Sequence, residues 1–195
     1  MKKYISLLLV FTFLLTLTAC GSDRDPADYI AELLEDSPIS GIIESIGGSG
    51  SEIHRYSYHV EDCTWPQAFQ RAQDNGGYLV RIESQEELAY LIEEIEQLGY
   101  QDKYFLLGGR RELSETDYCW VNEDNKLIGD PLNDEDSWAY DLWLSGEPTI
   151  EYYGNEEHFM EMHNDPEEGW GWNDVVQNLI GNHSGSIAYI VEYED

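Results

Sequence analysis

Basic residues are scarce in this chain. The 195 residues include 10 Lys and Arg against 40 Asp and Glu, which gives a formal net charge of −30 at neutral pH. A field of this sign repels nucleic acid and anionic lipid, and it attracts divalent cations and basic partners. The composition therefore predicts that nucleic acid is not a partner.

Familiar catalytic motifs are missing from the sequence as well. The five histidines form no His-Glu-x-x-His motif, and there is neither a Gly-x-Ser-x-Gly motif nor a glycine loop of the phosphate-binding kind. A pair of carboxylates for glycoside hydrolysis stays open in so acidic a chain, but no pair is singled out. We therefore predict a binding protein rather than an enzyme.

Cysteine is rare, with three residues in the whole chain. Two of them, Cys63 and Cys119, lie in the part of the sequence that has globular patterning. An oxidising location permits a bridge between them, but two free thiols fit the sequence equally well. The third, Cys20, stands in a different context.

The amino terminus is typical of a secretory signal. Two lysines precede the apolar run YISLLLVFTFLLTLTAC, which is too short to favour a membrane-spanning helix. The run ends in LTACG, at positions 17–21, and this resembles the lipobox of bacterial lipoproteins. The resemblance implies that residues 1–19 are removed, that Cys20 carries a lipid, and that the chain is exported to the bacterial cell membrane and faces outward. The lipid would then be its only membrane contact.

The remaining chain divides into a spacer and one domain. Residues 20–52 have two short apolar clusters that predict possible short helices, and they end in the flexible sequence GGSGS. Residues 53–195 have globular patterning. The whole chain is 13% aromatic, which is enough to bury a core despite the high charge.

Two helices are predicted near the start of the domain. Thr64 with Gln67 forms a capping box, and so does Ser84 with Glu87. The first apolar stripe comprises Trp65, Ala68, Phe69 and Ala72, and the second comprises Leu88, Leu91, Ile92, Ile95 and Leu98. Glycines at 76–77 and 99 predict the two helix ends. Strands are predicted for HRYSYHV, YLVRI, KYFLLGG, YCWVN, HFMEMH and SIAYIVEYE.

A segment without periodicity runs from Asn122 to about His158. A segment this long inside a compact domain is typical of a functional loop. It contains GEPTIEYYGNEE, at positions 146–157, which gathers several carboxylates around one proline. Two interpretations compete for it, a metal site and an acidic solvated surface.

The same segment holds a second acidic group. Its members are Asp130, Asn133, Asp134, Glu135 and Asp136. They are compatible with an accessory calcium ion, but they lack the glycine and the terminal glutamate of an EF-hand loop. A charged loop is the alternative interpretation.

Several motifs occur together in a defined order. They are TWPQAFQRAQDNGGYLVRI, FLLGG, GEPT and WND, followed by a final strand. From about Ile53 to Asp195 this order resembles the C-type lectin-like domain. The resemblance implies an α+β fold in which two helices flank small antiparallel sheets beside a long irregular loop region.

The same resemblance implies one calcium site between the Glu-Pro loop and the Trp-Asn-Asp strand. By position, its metal ligands would be Glu147, Thr149, Glu156, Asn173 and Asp174. The first four would also bind the carbohydrate. Calcium prefers six to eight oxygen ligands, and three carboxylates with two neutral oxygens match that preference. A cis peptide bond before Pro148 is implied too.

The sequence departs from the family pattern at two points. Thr149 stands where the family has an asparagine, so one hydroxyl replaces a carbonyl and an amide. The four cysteines that usually staple the fold are missing, and by alignment they fall at Ala72, His158, Gln177 and Val191. We therefore expect the core, together with calcium, to hold the fold.

The function predicted from the sequence is that of a surface-tethered binding module. Its partner would be a glycan, bound through calcium at the 147–174 loop region. The alternative is a lectin-like adhesion module that binds a cell-surface protein without binding sugar, because a fold does not fix a function.

Overall fold

The computed structural model describes residues 54–194. The predicted signal peptide, the predicted lipidation site Cys20 and the predicted spacer up to residue 52 lie outside the described residues. No helix within 54–194 is long and apolar enough to cross a membrane.

Two helices occupy the places that the capping motifs predict. Helix α1 spans Trp65–Asp74, and the N–H of Thr64 donates to the Gln67 side chain at 2.9 Å. Helix α2 spans Gln85–Leu98, and its first turn is capped by the Ser84 hydroxyl, which accepts from the N–H of Glu87 at 3.1 Å. Gly99 ends α2 with φ of 74°, a left-handed conformation that glycine adopts without steric cost.

The described residues contain ten strands and two short helical segments. The strands are β1 Arg55–Val60, β2 Tyr78–Leu79, β3 Tyr104–Arg110, β4 Cys119–Val121, β5 Leu127–Ile128, β6 Glu151–Tyr152, β7 Asn155–Glu156, β8 Phe159–Asp165, β9 Gly169–Val175 and β10 Ile187–Tyr193. The short segments are a 3₁₀ helix at Tyr140–Leu142 and helix α3 at Ile180–His183.

Eight of these strands form one connected sheet. The order β1-β10-β3-β4-β5 forms its main path, β2 pairs with β10, and β8 pairs with both β3 and β9. The β10–β3 pair is parallel, whereas the other pairs are antiparallel. Because β1 pairs with β10 along its whole length, the two ends of the described domain lie side by side. Strands β6 and β7 form a separate hairpin.

Two apolar clusters make up the core. The first contains the fully buried Trp172, which three other tryptophans contact edge-on, and the second contains Trp65. Ala72 and Val191, two positions where the resemblance implies cysteines, are fully buried in the second cluster. Apolar packing therefore occupies these two places.

The two remaining cysteines are free thiols. Cys63 is fully buried and Cys119 is 8% exposed. Of the two alternatives that the sequence left open, the structure has the unbridged form. The scaffold described here therefore contains no disulfide between them.

The segment from 122 to 158 is less irregular than its sequence suggests. It contains β5, the 3₁₀ helix and the β6–β7 hairpin, all of two or three residues. Elements of two or three residues are too short to produce a hydrophobic periodicity that the sequence could reveal. Strand β2 is shorter than predicted, because only Tyr78 and Leu79 of the predicted YLVRI strand pair with a neighbouring strand.

Candidate functional site

Asp174 lies at the centre of the predicted site and is fully buried on β9. Its Oδ1 accepts a hydrogen bond from the N–H of Thr149 at 2.9 Å, and its Oδ2 accepts from the N–H of Ile150 at 2.8 Å. The Tyr118 hydroxyl donates to Oδ2 at 2.6 Å. The Pro148 turn and the WND strand, 25 residues apart in sequence, therefore meet at one carboxylate.

Glu147 reaches the same place from the other side of the proline. The Glu147–Pro148 peptide bond is cis, as the resemblance implies. The carboxylate oxygen Oε2 of Glu147 is buried and has no hydrogen-bond partner. Burial and the neighbouring Asp174 carboxylate raise the pKa of Glu147 well above its ordinary value. The site thus contains a carboxylate oxygen that is withdrawn from water but not paired.

Thr149 and Glu157 complete one side of the group. The Thr149 hydroxyl donates to Oε2 of Glu157 at 2.9 Å. Burial raises the pKa of Glu157, and the charge of Asp174 adds to this effect. We call Glu147, Thr149, Glu157 and Asp174 together the loop site.

Glu156 and Asn173, which the sequence predicts as ligands, lie differently. The Glu156 side chain is 59% exposed, and its Oε2 contacts Nε2 of His158 at 3.2 Å. Asn173 is half-buried on β9 next to Asp174, and the alternation of a strand predicts that adjacent side chains leave it on opposite faces. The carboxylate that contacts Thr149 belongs to Glu157.

A buried arginine supports the loop site from below. Arg111 is 3% exposed, its Nε donates to the Glu157 carbonyl at 2.7 Å, and one terminal nitrogen donates to the Ile150 carbonyl at 3.1 Å. Its other terminal nitrogen donates to the carbonyls of Glu112, Leu113 and Glu115. The guanidinium therefore ties both arms of the loop to the end of β3.

Sequence reasoning missed Arg111 and Glu157 for different reasons. Arg111 directly follows the FLLGG strand and is one of only ten basic residues, so its rarity was a usable signal. Glu157 adjoins Glu156, and the two side chains point in different directions because direction alternates along an extended chain. Nothing in the sequence shows which of the two glutamates faces Thr149.

The charges of the loop site are not balanced by basic side chains. Within residues 54–194, Glu147, Glu157 and Asp174 take part in no ion pair, and the Arg111 guanidinium donates to backbone carbonyls rather than to these carboxylates. The same residues also contain no set of three or more His, Cys, Asp or Glu side chains already arranged to hold a metal ion. The donor chemistry is nevertheless that of a hard cation, since three carboxylates and a hydroxyl converge.

Two exposed tyrosines stand beside the loop site at the tip of the β6–β7 hairpin. Tyr152 is 59% exposed and Tyr153 is 87% exposed, and their rings contact each other edge-on at 4.4 Å. The pKa of Tyr152 is raised by Tyr153 first, with smaller contributions from the charges of Glu157 and Glu147.

The tryptophans near the site have packing roles. Trp172 is fully buried. Trp170 is partly buried against Phe105, and its indole N–H donates to Glu96 at 3.3 Å. Neither ring is presented to solvent as Tyr153 is.

Comparisons of the sequence with known proteins give one relative. No protein-family model matches the chain. A perlucin-like protein of Mytilus galloprovincialis is 28% identical over 124 residues, which are 63% of this chain and 69% of that protein.

Comparison of the structure gives several solved domains. The C-type carbohydrate-recognition domain of cow CD23, solved in the presence of a GlcNAc2Man3 oligosaccharide, matches with a TM-score of 0.53 and 20% identity over 74% of this chain and 90% of that chain. Human lithostathine matches with a TM-score of 0.54 and 18% identity over 75% of this chain and 88% of that chain. The C-type lectin CEL-I of Cucumaria echinata matches with a TM-score of 0.52 and 20% identity. The match covers 73% of this chain and 91% of that chain. The domain of this chain therefore has the C-type lectin fold.

Proposed function

We propose that this chain binds carbohydrate at the loop site and that a calcium ion takes part in the binding. One observation carries the proposal. The Pro148 turn and β9 bring three carboxylates together without a basic partner, and one of their oxygens, Oε2 of Glu147, is buried and unpaired. An unpaired buried carboxylate is costly unless a cation or a hydrogen-bond donor reaches it.

The residues fit calcium by the chemistry of their donors. Glu147, Glu157 and Asp174 would hold the ion with the Thr149 hydroxyl, and Glu157 takes the place that the sequence predicted for Glu156. Asn173 would contribute its carbonyl if its side chain turned around the edge of β9. Bound calcium would supply positive charge and coordination positions for vicinal sugar hydroxyls.

The side chains of the loop site would orient a sugar by hydrogen bonds. Carboxylates accept from sugar hydroxyls, and such charge-assisted bonds are among the stronger ones in proteins. Thr149 both donates and accepts through one atom, whereas asparagine offers separate donor and acceptor groups. We therefore propose that the set of sugars accepted differs from that of lectins with asparagine in this position. The exposed rings of Tyr152 and Tyr153 offer apolar faces for the sugar ring.

The comparisons support this proposal through the fold. The cow CD23 domain, which has the same fold, was solved in the presence of an oligosaccharide. Since one fold hosts several kinds of site, the fold alone does not carry the function. The loop site is the part of this chain that does.

A glycan array of the full chain, read with calcium and again with EDTA, tests the proposal. We expect binding to a subset of glycans that is lost in EDTA. We also expect calcium to raise the melting temperature by about 2–4 °C for each kcal/mol of binding stabilisation. An unchanged melting curve would remove calcium from the proposal.

Two adjacent glutamates provide a matched pair of variants. Glu157→Gln is expected to abolish the calcium-dependent rise in melting temperature, whereas Glu156→Gln is expected to leave it intact. The reverse result would restore the residue that the sequence predicts. Glu147→Gln combined with Asp174→Asn is also expected to remove the rise.

The alternative function is a lectin-like module that binds a protein without sugar. The observation that favours it is the pair of exposed tyrosines, since aromatic residues are enriched where proteins bind one another. An array without binding, together with no response to calcium, would favour this function.

We propose further that lipid on Cys20 tethers the exported chain to the outer face of a bacterial cell membrane. The proposal rests on the LTACG sequence after the apolar run. Metabolic labelling with a fatty-acid analogue in a bacterial host is expected to label the full chain, and Cys20→Ser is expected to abolish the label. Equal labelling of both forms would exclude Cys20 as the lipid site.

A further inference from the structure

A separate cavity lies on another part of the domain. Its volume is about 560 Å³, and it is bounded by the residue before the α2 cap, Glu83, by Trp120 of β4, and by the segment 129–138 that follows β5. This volume falls within the range of about 300–1,000 Å³ that is typical of small-molecule sites. None of the residues of the loop site lines it.

The apolar lining of the cavity is aromatic and held in place. Trp120 and Trp138 both line it, and both contact the buried Trp172 edge-on, with ring centroids 5.5 and 6.2 Å apart. Trp138 is 37% exposed, which leaves a large indole surface accessible from solvent. Leu132 and Pro131 complete the apolar lining. An indole fixed by a buried neighbour presents its surface to a ligand at little cost in side-chain entropy.

The polar lining of the cavity carries charge of one sign. Its acids are Glu83, Asp130, Asp134 and Asp136, and all four are exposed. No lysine or arginine lines the cavity, and none of the four acids takes part in an ion pair within residues 54–194. One oxygen of Asp134 accepts from the N–H of Asp136 at 2.9 Å, so a local turn orients this side chain. The cavity therefore disfavours anions.

The combination of indoles and carboxylates selects the kind of ligand. The indoles of Trp120 and Trp138 offer no oxygen to a metal ion, so the aromatic part of the lining would add nothing to metal binding. An organic cation instead gains from both features, because an ammonium group is attracted to indole faces and to nearby carboxylates. We propose that this cavity, the aromatic-acidic pocket, binds a small organic cation that carries an alkylammonium group.

The pocket is independent of the proposed carbohydrate site. It draws on the acidic segment 130–136, for which the sequence left open an accessory calcium ion or a solvated charged loop. Its walls combine indoles with carboxylates. A failure of calcium or glycan binding at the loop site would therefore leave this proposal untouched, and the reverse also holds.

Calorimetric titration of the full chain with choline chloride tests the proposal. The matched control ligand is 3,3-dimethyl-1-butanol, which has the shape of choline but no charge. At constant ionic strength we expect saturable choline binding, and at least about tenfold weaker binding of the neutral alcohol, as expected for a cation–π contact with partial desolvation. Equal binding of both compounds would overturn the proposal.

Variants locate the binding. Trp138→Ala is expected to weaken choline binding by about tenfold or more, Trp138→Phe by less, and Asp136→Asn by about threefold. Tyr153→Ala and Glu167→Gln change an exposed aromatic and an exposed acid outside the pocket, and they are expected to have no effect. Retained binding in a folded Trp138→Ala variant would overturn the proposal. If that variant does not fold, Trp138→Phe and Asp136→Asn decide the question.

A competition experiment separates the organic cation from a metal. Calcium is expected to leave choline binding unchanged at concentrations that saturate any effect on melting temperature. Displacement of choline by calcium, with loss of both ligands in Asp136→Asn, would assign the pocket to a metal ion and overturn the proposal.

Discussion

Two buried carboxylates hold different parts of this domain, Glu192 near the chain ends and Asp174 beneath the long loop. Glu192 is 3% exposed and accepts from the Tyr78 hydroxyl at 2.9 Å, from the Arg81 N–H at 3.0 Å and from the ring of His54. The Arg81 guanidinium lies 3.8 Å from the centre of the Tyr78 ring. The tyrosine that donates to this carboxylate therefore carries a cationic side chain on its ring.

Asp174 is bound as thoroughly, but only by neutral donors. The N–H groups of Thr149 and Ile150 and the Tyr118 hydroxyl donate to it. Its neighbour Glu147 is a second carboxylate. In the Glu192 region a guanidinium packs on the tyrosine that donates to the carboxylate. At the loop site the buried Arg111 guanidinium donates to the backbone carbonyls of Glu157 and Ile150, and within residues 54–194 the three carboxylates form no ion pair. This difference supports the proposal that a cation binds at the loop site rather than beside Glu192.

Of the changes considered below, removal of the Arg111 guanidinium is expected to lower the free energy of unfolding most. Arg111→Met keeps most of the volume but removes a donor from five backbone carbonyls. Those of Glu112, Ile150 and Glu157 keep a second donor, whereas those of Leu113 and Glu115 lose the one described here. We expect a loss of about 3–5 kcal/mol in the free energy of unfolding, measured by urea titration. Arg55→Met, a change of an exposed arginine, serves as the control. A loss below about 1 kcal/mol would mean that the loop does not depend on this residue.

Asp174→Asn tests the anchor of the loop directly. An asparagine retains one acceptor oxygen and places an NH₂ group against donors that now face a carboxylate. We expect a loss of about 2–4 kcal/mol in the free energy of unfolding and faster amide exchange at Thr149 and Ile150. Glu156→Gln is the control and is expected to change neither quantity. Unchanged exchange at these two amides would show that the turn is held by something else.

Glu87 gives a pH-dependent test in the Glu192 region. It is 4% exposed, and burial raises its pKa to about 7, although the N–H of Glu83 and the Tyr56 hydroxyl donate to it. Because the pKa in the folded state lies above the ordinary value of 4.5, the folded state keeps a proton that the unfolded state loses. The contribution of Glu87 to stability is therefore intact below about pH 4.5 and falls as the pH rises to about 7.

Glu87→Gln is expected to remove this fall. The variant loses one hydrogen bond at all pH values, so it should be less stable than the parent at pH 4.5. Near pH 8 the difference should shrink or reverse by about 2–3 kcal/mol, measured by urea unfolding at both pH values. Glu86→Gln, an exposed neighbour, is expected to leave the pH profile unchanged. A constant difference across this range would mean that Glu87 ionises normally in the folded protein.

The smallest expected effect is at the tip of the loop hairpin. Tyr153 has φ of 50° and Gly154 has φ of 80°, the conformation in which Asn-Gly is strongly preferred. Tyr153→Asn is therefore expected to raise the free energy of unfolding by about 0.5–1 kcal/mol in thermal or urea unfolding. If glycan or protein binding falls in the same variant, the exposed tyrosine is kept for binding at a cost in stability. Unchanged binding would assign Tyr153 no such role.

Local features of the sequence determined much of the scaffold. Thr64, Ser84 and Gly99 mark helix ends because capping depends on residues a few positions apart, and most predicted strands appear at their predicted places. The order of the motifs predicted the fold, and the GEPT and WND segments predicted that Pro148 and Asp174 would come together. Each of these inferences uses a short-range pattern or an order along the chain.

Tertiary structure alone decided which side chains face the loop site and the aromatic-acidic pocket. Glu157 rather than its neighbour Glu156 contacts Thr149, and only the backbone path after the short strand β7 decides between two adjacent glutamates. Arg111 matters through five carbonyls that no sequence pattern connects, and Trp120 meets Trp138 only through Trp172. Packing between distant segments sets these contacts, so a local sequence pattern carries no record of them.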